Sequence, residues 1–144
     1  MLTRPERLNG LHPALVAFAK RVAEEAMSRW QRNVQIAWGY RSPAEQDRLY
    51  AQGRTAPGQV VTNARGGQSP HQHRAAIDLY PWTEDKKAID WNFDEFYEMM
   101  NEVQRKEFPE LRRYKWDRPH TEVREWKLIA SGDKKIKGYR PSHA

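Results

Sequence analysis

Two histidines and two aspartates have the types and spacing for metal-assisted hydrolysis. Asp78 follows His71 by seven residues, and His120 follows Asp117 by three. His71, Asp78 and His120 together offer two imidazoles and one carboxylate. Three such ligands leave a zinc ion one open position for water, which is a catalytic arrangement and not a closed structural one. Asp117 is then the candidate to take the proton of that water as it attacks a carbonyl. The same spacing also allows an arrangement without metal, in which Asp78 pairs with Arg41 or Arg74 and His120 caps a turn. The other histidines offer less. His12 precedes a helix start, His143 lies at the C-terminal end, and His73 is an extra imidazole two residues from His71. With no cysteine in the chain, disulfides, thiolate metal sites and a Cys nucleophile are excluded.

These groups need elements to bring them together. Leu15, Phe18, Val22, Ala26 and Trp30 recur at helical spacing after His12-Pro13, which predicts a helix with Pro13 in its first turn. Val34 to Tyr40 reads as a strand feeding into Arg41-Ser42-Pro43. Ser42 is the expected helix cap, Pro43 the first helical position and Glu45 the other half of a capping box, with the helix ending at Gly53. Residues 53–70 read as a long loop with a brief strand at Val60-Val61. Ala75 to Tyr80 reads as a strand ended by Pro81, with Asp78 and Ala76 on one side and Ile77 and Leu79 on the other. Asn92 or Asp90 is the expected cap of a helix carrying the stripe Phe93, Phe96, Tyr97, Met100 and Val103. Arg112 to Lys115 is a basic stretch, Asp117 to His120 a proline-rich turn, and Thr121 to Leu128 a final strand.

The chain has 144 residues and 17.0 kDa, the size of one domain. A mean hydropathy of −1.01 with 6 Trp, 6 Tyr and 4 Phe describes a polar protein that still has the material for a core. The net charge of +6 favours polyanions without selecting among nucleic acid, envelope polymers and anionic peptides. No run approaches the roughly 18 apolar residues of a membrane span. The N-terminus lacks the apolar core of a secretory signal, so synthesis in the cytoplasm is expected. The domain is expected over residues 1–130, followed by a basic tail over 131–144.

Taken in order, the segments resemble the zinc peptidases of bacterial cell-wall peptides, the D-Ala-D-Ala carboxypeptidases and L-alanyl-D-glutamate endopeptidases. The small phage endolysins of that group are the best match. The residues that carry the resemblance are Gly39-Tyr40-Arg41-Ser42 with Gln46, the run Leu49 to Thr55, the run Val61 to Ser69, His71 with Asp78, and Asp117 with His120. The resemblance implies zinc on His71, Asp78 and His120, an acid/base at Asp117, and Arg41 steadying substrate and the developing oxyanion. Gln46 and Ser69 are assigned to substrate binding beside Arg41, with local hydrogen bonding in helix and loop as the alternative. One position departs from the family pattern. Arg74 stands where the family has glycine, which is costly wherever the backbone needs φ > 0.

The resemblance implies a small α+β domain, helices beside an antiparallel sheet, with the zinc at the sheet's open face. It implies cleavage of the peptidoglycan stem peptide between L-Ala and D-Glu by a monomer, lysing the host after another protein has opened the membrane. Removal of terminal D-Ala is one alternative. A non-catalytic wall-binding or nucleic-acid-binding protein is another, although no nucleic-acid motif is present and no nucleic-acid partner is expected.

Overall fold

His12 caps helix α1 (Pro13–Trp30), its Nδ1 accepting from Ala14 N at 3.1 Å. The expected stripe Leu15, Phe18, Val22 and Ala26 is buried, and Trp30 meets Phe93 edge-on at 4.8 Å. The chain then forms strand β2 (Val34–Trp38) and helix α2 (Pro43–Ala51), where Ser42 Oγ accepts from Glu45 N at 3.1 Å. The other half of the capping box does not form, because the Glu45 carboxylate pairs with Arg48 instead. The computed structural model describes residues 1–131, so the expected basic tail lies, from residue 132 on, outside the described residues.

The strands among the described residues form one sheet in the order β1-β2-β3-β5-β4. Strand β1 is Leu2–Thr3, β3 is Ala76–Pro81, β4 is Leu111–Tyr114 and β5 is Asp117–Val123. The sheet is antiparallel as expected except at its edge, where β1 runs parallel to β2. Pro81 ends the pairing with β2 from inside β3, opposite Val34. Ile77 and Leu79 face a core built with Phe18, Ile36 and Met100. Asp78 is on the opposite side of β3, as alternation requires. Helix α3 (Asp94–Glu107) buries Phe96, Tyr97, Met100 and Val103. Neither Asn92 nor Asp90 caps it; Phe93 occupies the cap position with no side-chain bond, while Asp90 accepts from Asn92 N.

Three stretches differ from the sequence reading. Val60 and Val61 form no strand and are exposed. Their loop is held by side chains instead: Arg54 donates to the carbonyls of Tyr50 and Thr62, and Asp47 accepts from Gly66 N. Asp117 to His120 is strand, not turn. The expected final strand stops at Val123 and gives way to helix α4 (Trp126–Ala130), because Trp126 and Ile129, three apart, are buried together. Trp126 stacks on His73 at 5.7 Å, seating α4 on the short 3-10 helix Pro70–His73.

That 3-10 helix ends on Arg74 with φ +56°. The position does require the left-handed conformation that the family's glycine would adopt freely. Arg74 offsets the cost with its side chain, whose guanidinium lies 4.2 Å over the Tyr40 ring. Its backbone carbonyl accepts from His12 N at 3.0 Å and ties the turn to the start of α1. Arg74→Ala keeps the strained φ and loses the ring contact, whereas Arg74→Gly loses the contact and relieves the strain. Urea unfolding should therefore find Arg74→Ala less stable than Arg74→Gly by about 1 kcal/mol; equal stabilities would contradict this account of the turn.

Candidate active site

Antiparallel pairing sets Asp78 of β3 directly opposite His120 of β5, 42 residues apart in the chain. The 3-10 helix that leads into β3 brings His71 to the same carboxylate. Asp78 Oδ1 lies 3.0 Å from His120 Nδ1, and Oδ2 lies 3.3 Å from His71 Nε2. One ligand atom from each of the three residues falls within 4.8 Å of the others, so the group has the donors and the compactness to hold a metal ion. The imidazole rings meet edge-on, with centroids 5.2 Å apart.

The far side of each ring sets which nitrogen faces Asp78. His71 Nδ1 is 2.8 Å from the Gly39 carbonyl. A carbonyl only accepts, so Nδ1 carries a proton there, and Nε2 is the ring nitrogen on the Asp78 side. His120 Nε2 is 2.9 Å from Glu122 Oε1, and this bond leaves Nδ1 as the nitrogen on the Asp78 side. Glu122 is 4% exposed and is itself held by Arg112 at 3.0 Å and the Tyr114 hydroxyl at 3.2 Å. A carboxylate behind a ligating histidine orients the ring and raises its basicity. The sequence reading missed Glu122. The available signal was its place two residues after His120, on the same face of one strand.

The electrostatics follow from this crowding. Burial would lift the Asp78 carboxyl, but His71 and His120 together hold it below the usual carboxylate range. Burial opposes the His120 imidazolium, yet the bonds to Asp78 and Glu122 raise it to about 10. Asp117 moves the other way from Asp78. Partial withdrawal from water lifts its carboxyl; His120 opposes that, and Asp78 adds to it. Two carboxylates in one groove thus titrate apart, the pattern of an acid/base beside a permanent anion.

Strict alternation would send Asp117 and His120, three residues apart, to opposite faces. A break in the β4–β5 register prevents this: Arg113 pairs with Thr121, but the next residue, Tyr114, pairs with Asp117. Such bulges re-aim side chains beside functional sites. Arg113 secures the bulge, donating to the carbonyls of Arg118 and His120 and to Asn101 of α3.

Arg41 comes from the junction between β2 and α2. Its Nη2 is 3.7 Å from Asp78 Oδ2 and its guanidinium lies 4.4 Å over Trp38. Gln46 is fully buried behind it, accepting from Arg41 Nη1 at 2.9 Å and donating to the Ala64 carbonyl at 2.9 Å. Gln72 bridges Gln46, the Arg41 carbonyl and Ser69 N. Ser69 caps the 3-10 helix and lines the groove, whereas Gln46 acts from behind Arg41. The groove, about 330 Å³, is lined by His71, Asp78, His120, Asp117, Arg41 and Ser69. His73 turns away, donating from Nε2 to the Gly67 carbonyl.

A family model described as VanY, D-alanyl-D-alanine carboxypeptidase, matches residues 9–127. The peptidoglycan L-alanyl-D-glutamate endopeptidase CwlK of Bacillus subtilis (strain 168) is 40% identical over 84 residues, 58% of this chain and 49% of that protein. The match thus spans about half the length of that relative. The crystal structure of the Serratia marcescens L-Ala D-Glu endopeptidase ChiX superposes with a TM-score of 0.55 at 22% identity, covering 85% of this chain and 90% of that one. The L,D-carboxypeptidase DacB from Streptococcus pneumonia gives a TM-score of 0.53 at 17% identity over 96% of this chain and 82% of that one. These structures share the fold. The family match runs from before α1 into α4 and takes in all of His71, Asp78, Asp117 and His120, and the chain belongs to the VanY, D-alanyl-D-alanine carboxypeptidase, family.

Proposed function

We propose that the chain is a zinc-dependent endopeptidase that hydrolyses the peptidoglycan stem peptide between L-Ala and D-Glu. The observation that carries the reaction class is the single groove holding two imidazoles, a buried carboxylate, a second carboxylate of raised pKa and a guanidinium. Similarity to a relative named for the L-alanyl-D-glutamate bond supports the choice of bond. An endolysin role in host lysis, with the protein made in the cytoplasm and reaching the wall once the membrane is opened, completes the proposal and rests on the sequence resemblance, as does a monomeric state.

His71, Asp78 and His120 fit zinc by donor type, and the hydrogen bonds to the Gly39 carbonyl and the Glu122 carboxylate leave His71 Nε2 and His120 Nδ1 as the nitrogens that would ligate. A zinc ion held there would supply Lewis acidity to the scissile carbonyl and would acidify the attacking water. Asp117 takes the proton of the attacking water and returns it to the leaving amine. Arg41 neutralises charge that grows on the carbonyl oxygen, from a position already fixed by Gln46 and Trp38, so little reorganisation accompanies the step. Ser69 offers a polar contact at the groove wall.

Removal of terminal D-Ala is the second reading, favoured by the description of the family model. Digestion of purified peptidoglycan with and without chelator, followed by mass analysis of the fragments, separates the two. New D-Glu amino termini, lost on chelation, are expected. Loss of D-Ala alone would replace the endopeptidase reading, and undiminished cleavage in chelator would remove the metal from it.

Asp117→Asn should keep zinc and lose at least about 100-fold in turnover, checked by metal analysis alongside kinetics; parental turnover would remove Asp117 from the reaction. Because Asp117 acts as a base only when ionised, kcat/KM should fall on acidification, and the residual activity of Asp117→Asn should lack that limb; an unchanged pH profile in Asp117→Asn would assign the proton transfer elsewhere. Glu122→Gln leaves His120 without its carboxylate partner and should weaken zinc binding by about 10- to 100-fold, read by chelator competition; unchanged affinity would show that Glu122 serves only packing.

A further inference from the structure

A second groove, about 270 Å³, opens beside the first and shares two of its walls, Tyr80 and Asp117. Its remaining walls include Trp91, Tyr97, Trp116 and Arg118. Trp116 is 81% exposed and Trp91 63% exposed. Two large aromatic rings left in water beside a reactive centre form an apolar surface that a partner is expected to cover. Neither ring hangs loose. Trp116, at the β4–β5 turn, stacks on Tyr114 with centroids 4.6 Å apart and planes 28° apart. Trp91 meets Tyr80 edge-on at 4.8 Å. Rings braced from behind lose little freedom when a ligand lies on them.

We infer that this second groove is a sugar subsite, which takes the pyranose ring of the glycan strand next to the scissile peptide. This rests on the peptidoglycan reading above. In that polymer the first residue of the stem is joined through a lactyl group to muramic acid, so a cut after the first residue occurs close to a sugar. One extended residue spans only about 3.5 Å. A subsite for that sugar therefore has to adjoin the groove holding Asp117, and this one does. A pyranose presents a C–H face suited to an aromatic ring and hydroxyls at its edge, where Asp117, Arg118 and Lys115 supply charged partners. A lipid surface would call for exposed aromatics and cations but for neither a groove nor continuity with the reacting groups.

The test uses the full chain and two probes. Titration with the peptide-free disaccharide N-acetylglucosaminyl-N-acetylmuramic acid should shift the indole N–H signals of Trp116 and Trp91, assigned through Trp116→Phe and Trp91→Phe. Kinetics should compare a muramoyl-linked peptide with the free peptide of the same sequence. The parent is expected to favour the sugar-linked form in kcat/KM, and Trp116→Ala to lower that preference about fivefold to tenfold through KM. Trp116→Phe should keep most of it. Unmoved indole signals, or equal loss on both substrates in Trp116→Ala, would overturn the subsite. So would a Trp116-dependent binding to phosphatidylglycerol vesicles in the absence of any disaccharide shift, which would make the surface a membrane contact. If the parent cuts neither substrate, the proposed activity fails, and the disaccharide titration still decides the subsite.

Discussion

The structure around the groove depends on the Asp78 carboxylate, an anion held largely out of water. Asp78 sits in the central strand of the sheet with little water to solvate it. An unpaired carboxylate there would cost several kcal/mol. Its charge is met by His120 at 3.0 Å, His71 at 3.3 Å and Arg41 at 3.7 Å. Each partner arrives from a different element: a paired strand, a 3-10 helix, and a strand-to-helix junction. None of the three elements can move far without leaving charge exposed to a low-dielectric interior, so the carboxylate fixes their mutual positions. A proton on His120 meets part of the same demand, since the bonds to Asp78 and Glu122 raise its imidazolium. The arrangement without metal that the spacing allowed is thus partly present, since Arg41 does face Asp78, but both imidazoles join it.

The surrounding irregularities serve that anion. On one side of β3, the β2 register shifts between Ile36 and Trp38, which sets Trp38 beside Asp78 and under the Arg41 guanidinium. On the other side, the β5 register shifts so that Asp117 and His120 share a face. A regular sheet could present only every second residue to the groove. The core side of the same strands stays regular, with Ile36, Ile77 and Leu79 buried against α1 and α3. Regularity on one face and bulges on the other let one small domain hold both a core and a reaction site.

What could be read from the sequence divides along the same line. The α1 and α3 stripes, the capping at Ser42, and the alternation around Asp78 are local patterns, and each appears in the fold. Arg112-Arg113 read only as part of a basic stretch because periodicity has no means of recognising an arginine drawn partly inside. Arg113 is withdrawn from water, which lowers its guanidinium to about 10, and its donors are taken by Asn101, Thr121 and two carbonyls. That burial is a tertiary fact, and with it went the β4–β5 hairpin. Glu122 was hidden for a related reason: its role appears only once β5 has a register. Arg74 was the opposite case. The residue type alone announced a conformational conflict, and the backbone has φ +56° there.

The charge can now be placed as well as counted. Half of the excess of six positive charges falls within residues 132–144, so the described domain is only mildly basic. Around the groove the balance is closer still. Asp78, Asp117 and Glu122 are set against Arg41, Arg112 and Arg113, leaving two imidazoles to be neutral or protonated. A divalent cation among His71, Asp78 and His120 would therefore meet a site whose fixed charges already cancel, and its own charge would dominate the local field. Any anionic group entering the groove would then meet that field and Arg41 first. The overall basicity, concentrated toward the C-terminal end of the chain, bears instead on approach to a polyanionic surface.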